Sequence, residues 1–374
     1  MDLPVGTVTH DDSTNGEIPP GPWVLVVGMH RSGTSAVTGA LAALGMGVPR
    51  EEDRFPPRPA NPEHWESESI TMANEAILQG LGGTWDAPPE IPQGHESGDL
   101  MGHIADLKPL FRSAFTTAGA QVWKDPRICL LLPYYRQILP QPLCALFVWR
   151  SPLAVAKSLQ QRDGLPLPEG LALWEHYNRC ALEVLHGIDF HVIEYEMFVA
   201  DPQGSLESVT AWLSSLGQFK RASQSWDVDG AIASVSPDLQ HEHPGDEDHL
   251  LLAEQLLLRD RLSSMHGSHK STDDGPSLAE SAWTTAVISL RREPARLKFA
   301  ALRNEMEELR RDHEATLIEL SNAYDAIEII RASTSWRVTR PIRSLASLNK
   351  RRKDHTSLDV ASIQRSVEEG TRPK

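Results

Sequence analysis

Residues 24–35, VLVVGMHRSGTS, run from an apolar stretch through Gly28 and Gly33 into a group of hydroxyl-bearing side chains. Two glycines so spaced before Ser or Thr match the phosphate loop G-x-x-x-x-G-K-[ST], except that Thr34 stands where the lysine belongs and Ser35 follows. A strand ending at Gly28 and a helix starting near Ser35 would set residues 29–35 at a helix N-terminus. Unpaired backbone N–H groups and the helix dipole attract an anion there. Gly33 lets the backbone approach closely, and Arg31, Ser32, Thr34 and Ser35 add donors. A tight strand-to-helix turn with no ligand would look the same, so the loop alone decides nothing.

Three further segments change that balance. WKDPR (123–127) follows an apolar run, so Lys124 and Asp125 belong at a strand's carboxyl end. LFVWRSPLAVAKSLQQR (146–162) ends its apolar run at Trp149, which places Arg150 at the same edge. Ser158 and Arg162 follow it, four residues apart and hence on one helical face. FHVIEYE brings Tyr195 and Glu196 to a fourth strand end. A surface role explains any one of these segments; it does not explain four in series.

The elements that must position these groups alternate. Strands are expected at Trp23–Val27, Gln121–Trp123, Leu143–Trp149 and Phe190–Tyr195, and helices at about 35–44, 68–81, 153–162, 171–186 and 203–217. The fold class is therefore α/β: a P-loop-like parallel sheet flanked by helices, with ligands beyond the strands' carboxyl ends. The chain divides into a polar leader (1–21), the α/β domain (22–265), a linker (266–285), a helical coiled coil (286–333) and a basic tail (334–374). Three scattered cysteines with no CxxC pair imply neither disulfides nor a zinc site, and they fit a reducing, cytoplasmic setting. No apolar run reaches the length of a membrane span. The net charge is −15, and residues 331–374 carry 11 Lys/Arg against 4 Asp/Glu, which leaves −22 for the rest. So acidic a body excludes nucleic acid as a bulk partner and makes any anion binding local.

With these residues in order, residues 22–215 resemble the sulfotransferase family, in particular a bacterial branch related to tyrosylprotein and carbohydrate sulfotransferases. GMHRSGTS resembles the family's 5′-phosphosulfate loop, in which Arg or Lys precedes Ser-Gly-Thr-Ser/Thr. RSPLAVAKSLQQR resembles its 3′-phosphate segment, with Arg150, Ser158 and a further Arg at 162. WKDPR matches the branch's Lys-Asp-Pro, and EYEMFVADP resembles its Tyr-Glu strand end at Tyr195. The resemblance implies 3′-phosphoadenosine 5′-phosphosulfate (PAPS) as donor and no metal. The donor's second phosphate accounts for a second cationic patch, and Arg31 stands in for the loop lysine. Fixed donors such as Arg31 and Lys124 can stabilise charge on the departing phosphate oxygen.

Two carboxylates compete as general base for the acceptor hydroxyl. Glu66, in NPEHWESES, resembles an acid that bacterial relatives carry after Asn-Pro and a Gly-aromatic pair, although His64 stands in the glycine's place. Glu52 lies 21 residues after Arg31, a spacing that resembles the tyrosylprotein branch. Glu66 is preferred, and His64 reads as a surface or packing residue. The Gly- and Lys-rich segment that closes over the 3′-phosphate in cytosolic family members has no counterpart; SPDLQHEHPGDEDH is acidic instead. STSWRVTRPIRSL resembles tails on glycosyltransferases of surface-polysaccharide assembly, which suggests a glycan or glycolipid acceptor. A P-loop kinase, with Asp125 as metal ligand, and a non-catalytic coiled-coil scaffold stay open as alternatives.

Phe299, Leu302, Met306, Leu309, His313, Thr316, Leu320, Ala323, Ile327 and Ile330 follow an unbroken 3-4 spacing, and eight of the ten are apolar. That is the pattern of a seam between helices, so a homo-oligomer is expected. Beyond it, Trp336, Val338, Ile342, Leu345 and Leu348 accompany seven basic residues. Such a segment can lie on an anionic membrane face, or it can stay solvated.

Overall fold

A computed structural model describes residues 18–56, 64–92, 98–115, 119–235, 248–270 and 279–332. Its centre is a five-stranded sheet of β1 (Trp23–Val27), β2 (Gln121–Lys124), β3 (Leu143–Trp149), β4 (Asp189–Glu194) and β5 (Gly267–His269), in the order β2-β1-β3-β4-β5. The first four strands run parallel, and β5 pairs antiparallel with β4. β1 and β3 are unbroken apolar runs because both their faces are covered. Strand periodicity divides the core in two. Trp23, Leu25, Val27, Trp123 and Phe147 point to one face, and Val24, Val26, Val122, Leu146 and Val148 point to the other.

The helices follow in chain order: α1 (Thr34–Ala43), α2 (Glu68–Gly80), α3 (Gly98–Ala105), α4 (Lys108–Ala114), α5 (Ile128–Tyr135), α6 (Pro152–Asp163), α7 (Leu167–Val184), α8 (Tyr195–Ala200), α9 (Pro202–Ser215), α10 (Val228–Ser234), α11 (Ala253–Ser264) and α12 (Ala282–Ala332). Helices α5 and α7 cover the first face, while α1 and α9 cover the second. The register sets Val26 beside Lys124, Val27 beside Phe147 and Trp149 beside Glu194, so the strand ends bearing the polar motifs lie along one edge. Strand order reverses at β1, the place where open α/β sheets bind ligands.

The structure departs from the sequence expectation at several places. β4 stops at Glu194, one residue early, and Tyr195 opens α8 instead. Residues 267–269, inside the expected linker, add the edge strand β5. The start of α12 is fastened to the α/β body. Glu175 of α7, fully buried, accepts hydrogen bonds from Ser281 N (2.8 Å), Ser281 Oγ (2.8 Å), Thr284 Oγ1 (2.6 Å) and Arg179 Nη2 (2.9 Å). Arg292 pairs with Glu90 at 3.1 Å. Compact packing continues to Ala300, and residues from Ala301 form a second unit.

α12 is helical through residues 286–332 of the expected coiled-coil span. Of the seam residues, Phe299, Leu302, Met306, Leu309, His313, Ile327 and Ile330 have side chains outside the described set, while Thr316, Leu320 and Ala323 are exposed. The basic tail, most of the leader and most of the acidic stretch 236–249 also lie outside the described residues. Among the described residues, no helix is long and apolar enough to cross a membrane.

Candidate anion-binding site

The loop between β1 and α1 bends sharply. Arg31 takes a left-handed backbone (φ 68°), and Gly33 caps α1 at φ 89°. No side chain caps that helix end, so its first amides are left for a ligand. Close packing holds the loop in place. A Cβ on Gly28 would fall 2.3 Å from the Val148 carbonyl oxygen, and one on Gly33 would fall 2.0 Å from Tyr195 Cδ2. Both positions therefore need glycine. Ser32 Oγ, at the loop's centre, is buried and has no hydrogen-bond partner.

On the β2 side, Lys124 ends its strand with a side chain wholly withdrawn from solvent. Its Nζ donates to Ser35 Oγ (3.0 Å) in the first turn of α1 and pairs with Glu66 Oε1. Glu66 arrives on the segment just before α2, whose N-cap Ser67 accepts from Ile70 N (3.2 Å) and donates to Asp53. Burial alone would raise the Glu66 carboxyl. The Lys124 ammonium outweighs that and, with His64, holds it well below the usual carboxylate range. Oε2 is buried and accepts no hydrogen bond, with His64 Nδ1 3.7 Å away.

On the β3 side, Arg31 Nε donates to Ser158 Oγ (2.8 Å), which α6 carries back over the sheet edge. Arg150 donates from Nη1 to the Arg31 carbonyl (3.4 Å) and lies 4.9 Å over the Tyr195 ring. Its own carbonyl is held by Trp174 Nε1 at 2.9 Å, and its buried Nε pairs with Glu196 Oε1 at 3.9 Å. Arg162, one turn after Ser158, lies 5.1 Å over the Trp85 ring and pairs with Asp163. Burial, then the Arg162 and Arg150 charges, lower the Arg31 guanidinium from its ordinary value. Three cations, Arg31, Arg150 and Arg162, are set here against two carboxylates, Glu196 at 3.9 Å from Arg150 and Asp163 at 2.7 Å from Arg162, a balance that favours an anion.

Of the residues singled out in the sequence, Ser35, Lys124 and Glu66 are joined in one group of contacts, and Arg31, Ser158, Arg150 and Tyr195 in another. Gly33 and Ser32 form the loop, and Thr34 is buried at the start of α1. Glu52 stands apart. It is exposed on a single turn (Glu51–Asp53) and makes no ion pair or hydrogen bond among the described residues. Asp125 faces inward: Oδ2 accepts from Asn74 Nδ2 (2.9 Å), and Oδ1 accepts from Arg127 N (2.9 Å) and Nη1 (3.2 Å). Sequence reasoning missed His30 and Trp85, whose rings meet at 4.5 Å beside the loop. Burial, with Arg127 and Arg162 nearby, keeps the His30 imidazole far below its ordinary value and so neutral. Its Nε2 is buried without a partner. The position of His30 beside Arg31 was the one available signal.

No protein-family model matches this chain, and no curated protein does. Solved structures that match it include the sulfotransferase domain from the Synechococcus PCC 7002 olefin synthase. It is 13% identical with a TM-score of 0.35, and the match covers 73% of this chain and 95% of that one. The sulfotransferase domain from the curacin biosynthetic pathway is 17% identical with a TM-score of 0.31, covering 72% of this chain and 97% of that one. Among the described residues, no group of three or more His, Cys, Asp or Glu is placed to hold a metal ion.

Proposed function

We propose that this chain transfers a sulfuryl group from PAPS to an acceptor hydroxyl on a carbohydrate or glycolipid. The observation that carries the reading is the pair of cationic clusters on either side of one helix N-terminus. Lys124 stands at the end of β2, and Arg31 and Arg150 stand toward β3, with the uncapped loop of β1 between them. A donor with anionic groups at two separate positions fits two such clusters. The buried Ser32 Oγ, without a hydrogen-bond partner among the described residues, is a donor available to it.

PAPS, when bound, supplies a sulfuryl group already attached to a phosphate leaving group. This chain's part is to hold it and to stabilise charge. Arg31, Lys124 and the amides of the first turn of α1 offset the negative charge that builds on the departing oxygen. Arg150 and Ser158 grip the second phosphate. Glu66 accepts the proton of the acceptor hydroxyl at Oε2. Paired with Lys124, that carboxylate is ionised but a weak base. Drawing Nζ toward an anion loosens the pair and raises the carboxyl toward a more useful value.

The phosphotransferase alternative needs Asp125 to hold a metal ion, yet both of its oxygens are engaged by Asn74 and Arg127. Isothermal titration with adenosine 3′,5′-bisphosphate and with ATP–Mg²⁺ separates the two, and a preference for ATP would refute sulfuryl transfer. Labelled PAPS screened against candidate glycans then identifies the acceptor. Self-association through α12 belongs to the same proposal, and light scattering that finds a monomer removes it.

A further inference from the structure

The turn Thr84–Ala87 has two sides in use. It is closed by reciprocal backbone bonds, Thr84 N to Ala87 O (3.0 Å) and Ala87 N to Thr84 O (3.2 Å), so it is a firm wall. Trp85 turns toward the site and packs on His30 and Arg162. Its neighbours Thr84, Asp86 and Ala87 instead line a cavity of about 690 Å³, within the ~300–1,000 Å³ usual for small-molecule sites. The start of α7 supplies Pro166 and Pro168, just past Arg162 in the chain, and α12 supplies Trp283, Val287 and Leu290.

The chemistry of this lining is specific. Its charged groups are tied to one another: Arg291 pairs with Asp86 at 2.6 Å and with Glu169, and its Nε donates to the Asp86 carbonyl at 2.6 Å. One guanidinium against two carboxylates leaves one negative charge, so the lining repels anions. What faces solvent is apolar, with Trp283 50% and Leu290 74% exposed. Large apolar side chains gathered around a concavity differ from single exposed residues scattered over a surface, and they mark a binding groove.

We infer that this cavity holds an uncharged alkyl or aryl chain of the acceptor, which makes the substrate an amphiphile with its hydroxyl head at the sulfuryl-transfer site. The inference rests on the proposed transfer reaction. The 84–87 turn serves both sides, with Trp85 on His30 and Arg162 and Thr84, Asp86 and Ala87 in the cavity lining, so a molecule that passes over the turn reaches both. The surplus carboxylate selects against anionic guests, and a charge set against Trp283, Val287 and Leu290 would have no partner.

The test uses the full chain and titrates hexyl and octyl β-glucoside below their micelle concentrations, with adenosine 3′,5′-bisphosphate titrated separately. The two added methylenes should tighten binding roughly tenfold. Leu290→Glu, at an exposed position on which the fold does not depend, should weaken octyl glucoside at least tenfold and leave bisphosphate affinity unchanged. Trp283→Ser should act in the same direction. Equal affinity for the two chain lengths, or unchanged octyl affinity in Leu290→Glu, overturns the inference. So does an oligomer that Leu290→Glu dissociates in a protein that binds neither glucoside, since a second copy then fills the groove. If chain-length dependence holds and the bisphosphate fails to bind, the apolar-chain site stands and the donor reading falls.

Discussion

Lys124→Met is the sharpest single perturbation, because it strands a charge whose surroundings are known. Lys124 is the cation against Glu66, and the two side chains are 0% and 15% exposed. Removing one partner of so buried a pair costs about 3–5 kcal/mol, since the remaining ion keeps its desolvation penalty and loses its compensation. In the wild type, the Glu66 carboxyl is held below its ordinary value, so its stabilising contribution is present above the usual carboxylate range and fades as pH falls through the folded value. In Lys124→Met, the ammonium that outweighs burial is gone, His64 alone of the two side chains remains to oppose it, and the folded carboxyl rises. The sign reverses, and the variant regains stability as pH falls and loses it as pH climbs through the raised value. Each tenfold gain in proton affinity is worth about 1.4 kcal/mol. The gap to wild type should therefore narrow by about 1–3 kcal/mol between pH 7 and pH 5. Urea unfolding at pH 5, 6 and 7 reads it directly. Adding Glu66→Gln to Lys124→Met should restore stability at pH 7, because the stranded charge is gone. A gap independent of pH, with no rescue in the double variant, would refute the reasoning.

Gly33→Ala forces a side chain into a left-handed position, costing about 1–2 kcal/mol, and into the Tyr195 ring 2.0 Å away, adding about 1–3 kcal/mol. Urea unfolding of Gly33→Ala with and without Tyr195→Ala checks this, and only the clash should be relieved in the pair. Arg31→Ala should lower kcat by about 10²–10³, whereas Arg150→Ala should chiefly raise the Kd for adenosine 3′,5′-bisphosphate; steady-state kinetics beside titration distinguishes them. Glu66→Gln should abolish transfer and keep bisphosphate binding, while Glu52→Gln should retain activity. The opposite pattern in a labelled-PAPS assay would transfer the role of base to Glu52.

How much of this was visible beforehand depends on the kind of signal each element leaves. β1 and β3 were legible because strands covered on both faces are unbroken apolar runs between polar turns. The loop was legible because Gly28 and Gly33 are demanded by backbone geometry. α5 was not expected, since ICLLLPYY is apolar on every side and carries Pro133, so no helical period shows. β5 is Gly-Ser-His, a linker composition made a strand only by the open edge of β4. Trp85 sits in a Pro-rich stretch, and its contact with His30 joins residues 55 apart with no periodic signature. The attachment of α12 was equally hidden, because Glu175 looks like any surface glutamate until its partners at 281 and 284 are brought to it. Charge and hydropathy report which way a residue faces and say little about what meets it there.

That attachment bears on where the chain can be cut. A cut anywhere between His269 and Ser281 would carry off the Ser281 and Thr284 donors of Glu175 and uncover its carboxylate, with Arg179 left as its partner. A fragment that keeps those donors and the Arg292–Glu90 pair runs past Arg292 into the long helix.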